Sequence, residues 1–183
     1  MRVFLDFEAS SLGRHSYPIE VAWVWEDGRE ESHLIRPAPG WDDWDTAAQA
    51  IHRITRDQLL REGEPHEDVA RRMVDALSGH DLLASAPSWD GKWLSALLRA
   101  AGLPRHSLRV RDTEDAQHET VRTILAEMLP PQDLGRAVGD FLVLADVRSR
   151  AAAPAHRALP DARAEWQRWR TLKAEAERRL AEA

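Results

Sequence analysis

The sequence predicts an α/β protein in which a five-stranded mixed sheet, with its first three strands antiparallel, is flanked by helices. Three observations support this. Up to about residue 112, short apolar runs rich in β-branched and aromatic residues alternate with turn-forming residues, which is typical of strands. Beyond that point the chain has the apolar spacing of amphipathic helices. Asp27-Gly28 between two of the runs is a hairpin signal, because both central residues of a type I′ turn need positive φ.

Five segments are predicted as strands. The first is the apolar run Val3-Phe4-Leu5, which leads into Asp6 and Glu8. The others are 18–26, 30–36, 81–86 and 107–112. The Asp-Gly turn makes the second and third strands antiparallel, and Pro37 and Pro39 end the third.

Helices are predicted between and after these strands. Thr55 and Gln58 have the spacing of a capping box, and Val69, Met73 and Leu77 define one face of a helix over 65–78. The remaining helices are expected over 89–101 with Ser88 as its cap, from Thr113 or Asp115 to 129, over 132–152, and from the region of Asp161 to near Leu180. Residues 151–154 are expected to be the most mobile segment.

Composition bounds the class of protein. A chain of 183 residues is expected to form one domain, 1–183, that buries roughly 70% of its unfolded surface. The absence of cysteine excludes disulfides, thiolate metal sites and cysteine nucleophiles. The N-terminus lacks the features of a secretory signal and no run has the length of a bilayer span, so a cytoplasmic protein without membrane contact is expected.

Charge is distributed unevenly along the chain. Residues 1–147 carry 16 Lys/Arg and 26 Asp/Glu, whereas the Arg-rich, helical portion over about 148–183 carries 9 and 5. The formal net charge of −6 argues against nucleic-acid binding by bulk electrostatics. It does not exclude an enzyme that meets phosphate through bound cations, because such ions reverse the local field.

Asp6 and Glu8 are the first candidate site residues. Side chains alternate faces along a strand, so these two carboxylates point the same way at the end of a core strand, and Phe7 points the other way. Close like charges repel unless a cation lies between them, and hard oxygen ligands suit Mg²⁺ or Mn²⁺. Simple solvent exposure of one or both carboxylates at the strand end is the alternative.

Two further segments add candidates. Asp90 falls in the first turn of a helix at a strand-to-helix connection, where α/β sheets bind ligands, although it could merely favour the helix N-terminus. Near the C-terminus, His156 precedes Asp161 by five residues with Pro160 between them. Histidine exchanges protons readily near neutral pH, which suits a general base.

With these segments together, the chain resembles the histidine subtype of the DEDD exonucleases, a ribonuclease H-like family that includes the DnaQ/ribonuclease T-type enzymes. Asp6-Phe7-Glu8 matches its first motif, Asp-x-Glu. Asp90 matches the aspartate of its second motif, and 156–162 matches His-x-Ala-x-x-Asp-Ala in full. Segment 51–55 is similar to the family's His-Gly-Ile-Thr turn, and Asp112-Thr113 also fits.

The resemblance implies a 3′–5′ exonuclease that uses two divalent ions, Mg²⁺ or Mn²⁺, about 4 Å apart. By analogy, Asp6 bridges both ions, Glu8 and Asp161 hold the ion that carries the nucleophile, and Asp90 holds the second ion directly or through water. His156 takes the proton from the attacking water.

The same resemblance implies a partner and the residues that contact it. The partner would be the 3′ end of a single-stranded nucleic acid, RNA or DNA. Leu12 and Phe7 would lie against the last base, and backbone amides near Ala9 would read the 3′-hydroxyl.

The chain also departs from the family pattern. Ala9-Ser10-Ser11-Leu12 stands where Thr-Thr-Gly-Leu is common, and Ala86 replaces an asparagine, which puts a supporting hydrogen bond in doubt. A homodimer is left open. The alternatives are a hydrolase of short oligonucleotides or small phosphodiesters, a non-catalytic nucleic-acid-binding module on the same fold, and a partner-binding protein that acts through its C-terminal helix.

The tryptophans are divided between core and surface. Trp23 and Trp25 share one face of the second strand and are expected in the core, as are Trp89 and Trp93 on the helix of Asp90. Trp41 and Trp44 lie in a polar loop and are the better candidates for an exposed base-stacking surface.

Overall fold

The computed structural model describes residues 1–149 and 155–182, with side chains for 1–143 and 155–182. Its strands are β1 Arg2–Ala9, β2 Pro18–Trp25, β3 Glu30–Arg36, β4 Glu64–Pro65, β5 Asp81–Ala84 and β6 Val110–Asp112. Its helices are α1 Thr46–His52, α2 Arg56–Glu62, α3 His66–Leu77, α4 Pro87–Ala100, α5 Thr113–Leu125, α6 Pro131–Ser149 and α7 Ala158–Ala181.

The sheet is mixed and has β1 near its centre. Across the described residues the strand order is β4-β3-β2-β1-β5-β6. β1, β2 and β3 are antiparallel neighbours, whereas β5 runs parallel to β1 and β6 parallel to β5. The α/β class and the antiparallel arrangement of the first three strands are therefore confirmed.

The predicted count of five strands is wrong by one. The additional strand, β4, consists of two residues that pair in parallel with the end of β3 through Ile35 and Glu64. A segment this short, half of it proline, has no periodicity that a sequence pattern could detect.

Both faces of β1 are covered by helices. Val3, Leu5 and Phe7 enter the main core with side chains of α3 and α4, whereas Phe4 packs against Trp169 of α7 on the opposite face. By the two-residue period of a strand, Asp6 and Glu8 share the face of Phe4. α7 packs on this face, and Asp161 in its first turn lies close to Asp6 and Glu8 at the end of β1.

The β2–β3 hairpin differs from the predicted type I′ turn. The N–H of Gly28 donates to the carbonyl of Trp25 at 2.8 Å, and Gly28 has a φ of 91°. Gly28 accounts for the positive φ in this turn, since Asp27 is not among the described non-glycine residues that have one. This is a type I turn followed by a left-handed residue, the three-residue loop that produces a bulge.

Several helix starts also differ from expectation. α4 begins at Pro87, and its N-cap Ala86 makes no side-chain capping bond, so the predicted cap by Ser88 is wrong. α7 begins at Ala158, which places Pro160 and Asp161 inside its first turn. Proline is tolerated there because the first N–H groups of a helix have no intrahelical partner. The predicted mobile segment 151–154 lies outside the described residues.

Candidate active site

Three carboxylates from the two ends of the chain converge beside the tip of β1. Asp6, Glu8 and Asp161 each offer one oxygen, and these atoms all lie within 4.8 Å of one another. β1 places the first two on one face, and the first turn of α7 brings Asp161 onto that face. Such a cluster is unfavourable unless protons or a cation neutralise it.

The pKa values of Asp6 and Glu8 reflect the burial of the cluster and then this crowding. Burial, followed by the charges of Asp90, Glu8 and other nearby acids, raises the pKa of Asp6 well above its ordinary value. Burial and then the charge of Asp161 raise the pKa of Glu8 to about 7, although Arg157 opposes the rise. Burial and repulsion thus disfavour the ionised forms of Asp6 and Glu8 in the absence of a cation. Together with Asp161, these hard oxygen donors form a set that fits Mg²⁺ or Mn²⁺.

Asp90 lies next to the cluster rather than within it. Its side chain is 2% exposed, and its Oδ1 accepts a hydrogen bond from the N–H of Phe7 at 3.3 Å. Burial raises the pKa of Asp90 to about 7, and the hydrogen bond from Phe7 counteracts this. Among neighbouring acids, Asp90 has the largest effect on the pKa of Asp6.

His156 is exposed at the entrance to α7. Its φ of 54° lies in the left-handed region, which is uncommon for a residue other than glycine. The residues on either side of it are held by Asp161: the N–H of Ala155 donates to Oδ1 at 2.8 Å, and the N–H of Arg157 donates to Oδ2 at 3.2 Å. Asp161 thus belongs to the carboxylate cluster and also fixes the backbone on both sides of His156.

Glu20 and Arg157 are site residues that sequence reasoning missed. Glu20 lies opposite Glu8 in the β1–β2 register and is 3% exposed. It accepts hydrogen bonds from Arg157 Nε at 3.0 Å and Nη2 at 2.7 Å, and from the N–H of Ala158 at 3.0 Å. A lone glutamate within the otherwise uncharged, fully buried strand β2 was the available signal.

The predicted substrate contacts differ in exposure. Phe7 is 4% exposed in the main core and Ala9 is 7% exposed, whereas Leu12 is 70% exposed. The loop that carries Leu12 is joined to α4 by Lys92 Nζ, which donates to the carbonyl of Gly13 at 2.6 Å and to Ser16 Oγ at 2.8 Å. Leu12 is therefore the predicted contact with an exposed side chain, and Phe7 is part of the main core.

Trp41 and Trp44 do not form an open stacking surface. Both are half-buried. Trp41 stacks on Tyr17 with ring centroids 5.0 Å apart, and Trp44 Nε1 donates to Gln49. Trp23 and Trp25 lie in the core as predicted.

Comparison with known proteins identifies the fold. No protein-family model matches the sequence, and no curated protein matches it. Solved structures do match. The zinc-bound Escherichia coli exonuclease I–ssDNA complex superposes with a TM-score of 0.67 at 17% identity, covering 99% of this chain and 42% of that one. A moderately thermophilic exonuclease I from Methylocaldum szegediense gives 0.66 at 19% identity, covering 98% and 41%.

The fold is ribonuclease H-like. This confirms the fold expected from the family resemblance. The chain spans about two fifths of the length of the exonuclease I chains that it matches. At 17–19% identity the likeness concerns the fold and not the activity. Within the described ranges, no helix combines the length and apolar character that crossing a membrane requires.

Proposed function

We propose that residues 1–183 form an exonuclease domain that degrades single-stranded nucleic acid from its 3′ end and releases nucleoside 5′-monophosphates. The observation that carries the proposal is the convergence of Asp6, Glu8 and Asp161 within 4.8 Å, next to buried Asp90 and exposed His156. The matching exonuclease I structures, which include complexes with ssDNA, with a dT13 oligonucleotide and with a dA16 oligonucleotide, support the substrate class.

The carboxylates would hold divalent cations. Asp6, Glu8 and Asp161 form the donor set for one ion, and Asp90, directly or through water, would complete the set for a second ion shared by Asp6. Bound Mg²⁺ or Mn²⁺ would lower the pKa of a water molecule and neutralise charge on the leaving oxygen. Occupancy would also offset the burial and the repulsion that together raise the pKa of Asp6 and Glu8.

The other groups would orient the substrate and move the proton. His156, exposed beside Asp161, would accept the proton of the attacking water and release it to solvent. The exposed side chain of Leu12 would pack against the terminal base, while backbone amides near Ala9 meet the 3′-hydroxyl. A pocket that accepts a free 3′ end sets the 3′–5′ direction.

The test is digestion of 5′-labelled single-stranded DNA and RNA in Mg²⁺, in Mn²⁺ and in EDTA. We expect a ladder that shortens from the 3′ end only with metal, mononucleotides as the released product, and protection when the 3′-hydroxyl is blocked. A length series from the dinucleotide upward separates an exonuclease from a hydrolase of short oligonucleotides, which would lose activity as length increases.

Matched substitutions assign the activity to the cluster. Asp6→Asn and Asp161→Asn should each reduce the rate at least about 100-fold and weaken Mn²⁺ binding in calorimetry. Asp68→Asn is the control, because Asp68 is an acid in the first turn of α3 as Asp161 is in α7, and it pairs with Arg71 at the surface. Wild-type rates in both cluster variants, or strand binding without turnover, would refute the proposal.

A further inference from the structure

An ion pair between Glu20 and Arg157 joins the centre of the sheet to the segment that carries His156. Both guanidinium contacts go to Glu20, one to each carboxylate oxygen, and the N–H of Ala158 completes three hydrogen bonds to this side chain. The side chain of Glu20 is 3% exposed, whereas that of Arg157 is 46% exposed. The pair thus connects a rigid, buried strand to the surface at the beginning of α7.

The position of the pair relates it to the candidate site. Glu20 faces Glu8 across the β1–β2 ladder, and the charge of Arg157 is close enough to lower the pKa of Glu8. Arg157 directly follows His156, and Ala158 opens the helix that contains Asp161. Glu20 therefore holds the first two of the four residues between His156 and Asp161.

The backbone at His156 needs such support. A φ of 54° costs of the order of 1 kcal/mol or more for a non-glycine residue, so it persists only where neighbouring contacts impose it. Asp161 supplies two of those contacts, but its oxygens also belong to the acidic cluster. Glu20, which accepts the hydrogen bonds from Arg157 and from the N–H of Ala158, lies outside the group of three carboxylates.

We propose that Glu20, acting through Arg157 and the N–H of Ala158, is a positioning residue that holds His156 and Asp161 over the end of β1. The proposal rests on the function proposed above. By this proposal the ion pair increases kcat by positioning His156 and Asp161. It does so without binding the metal ions and without contacting the nucleic acid. An arginine suits the task because its planar fork meets both oxygens of one carboxylate, which lysine cannot do.

The test compares Glu20→Gln, Arg157→Met, the double variant and Arg157→Lys at saturating Mg²⁺, with rates normalised to folded protein. Glu20→Gln and Arg157→Met should each lower kcat at least about 10-fold and leave KM within twofold of the wild-type value. The reason is that the imidazole is displaced while the contacts with the nucleic acid remain. The double variant should be no slower than the slower single variant, and Arg157→Lys should recover part of the rate.

Arg163→Met is the matched control. Arg163 lies on α7 six residues after Arg157, is 45% exposed, and contacts both carboxylate oxygens of Glu30 on β3. It leaves the bonds to Glu20 intact, so its kcat should stay within twofold of wild type. An equal loss of kcat in this control would show that any ion pair between α7 and the sheet matters, and would overturn the assignment to Glu20.

Two further results would contradict the proposal. Arg157→Met with a raised KM and unchanged kcat would make Arg157 a substrate contact. Multiplicative losses in the double variant would show that the two residues act separately.

A measurement that needs no turnover separates this proposal from the proposed function. Hydrogen exchange over 155–158 should be at least about 10-fold faster in Glu20→Gln than in Arg163→Met. If hydrogen exchange over 155–158 is unchanged in Glu20→Gln, the positioning role is overturned even when the enzyme is active. If exchange is faster but the wild-type protein degrades no nucleic acid, only the proposed exonuclease activity is rejected.

Discussion

The N–H of Phe7 donates a hydrogen bond to Oδ1 of Asp90, 83 residues further along the chain, at 3.3 Å. Phe7 lies between the two carboxylates of β1, so this bond fixes the first turn of α4 against the acidic cluster. Asp90 is almost fully buried there, and the ordinary role of an acid at an exposed helix N-terminus does not explain its position.

This burial predicts how stability depends on pH in the metal-free protein. The pKa of Asp90 is about 7 in the folded state and is expected to be near its ordinary value in the unfolded chain. The folded state therefore binds the extra proton between about pH 4 and 7, so this group lowers stability as pH rises through that window. Asp90→Asn removes the titration while keeping an acceptor for Phe7.

In EDTA, the free energy of unfolding of Asp90→Asn minus that of wild type should increase from pH 5 to pH 8, by an amount of the order of 2 kcal/mol. Urea unfolding at both pH values measures the difference. Asp68→Asn, at an exposed position, should show no such change. Equal pH dependence in Asp90→Asn and wild type would mean that Asp90 is ionised without a cation.

His156→Ala separates proton transfer from metal binding. The side chain is exposed and lies outside the group of three carboxylates, so its removal should leave Mn²⁺ affinity within about twofold. The rate should fall by about 10²- to 10⁴-fold, the usual contribution of a general base. Calorimetry and single-turnover digestion provide the two readouts.

The control for this variant is His118→Ala, which removes an exposed histidine of α5 and should leave the rate unchanged. A parallel loss of Mn²⁺ affinity in His156→Ala would identify the imidazole as a ligand instead of a base.

Leu12→Ala tests the terminal-base contact. A side chain that is 70% exposed contributes little to folding, so the melting temperature should stay within about 1 °C. KM for a single-stranded oligonucleotide should rise several-fold, because the apolar surface that meets the base is lost. Leu60→Ala, an equally simple truncation of a 53% exposed leucine on α2, should alter neither value. An unchanged KM in Leu12→Ala would remove this residue from the substrate surface.

The sequence predicted those parts of the fold whose signals are local. The predicted bounds of β3 agree with the structure, and Val69, Met73 and Leu77 are fully buried on α3 as their spacing indicated. Asp27-Gly28 marked the hairpin but not its turn type, since the same pair serves a three-residue loop in which only the glycine is left-handed.

The candidate site was partly predictable for the same reason. Asp6, Glu8 and Asp161 stand in short motifs with fixed spacing, and the structure brings them together. The Glu20–Arg157 pair joins residues 137 positions apart and has no local pattern. Its existence depends on how α7 crosses β2, which only the assembled fold determines.

Gly63 tests the packing at the end of β3. A Cβ built at this position would lie 2.4 Å from the carbonyl oxygen of Leu59 and 2.7 Å from the backbone nitrogen of Arg36. Neither atom belongs to a flexible side chain, so Gly63→Ala must displace α2 from β3 and should cost about 1–3 kcal/mol of unfolding free energy. Gly139→Ala is the control, because nothing lies within 4 Å of a Cβ there and α6 should gain about 0.5–1 kcal/mol from the better helix former. Chemical denaturation measures both changes, and a Gly63→Ala protein as stable as wild type would show that α2 and β3 are not packed as described.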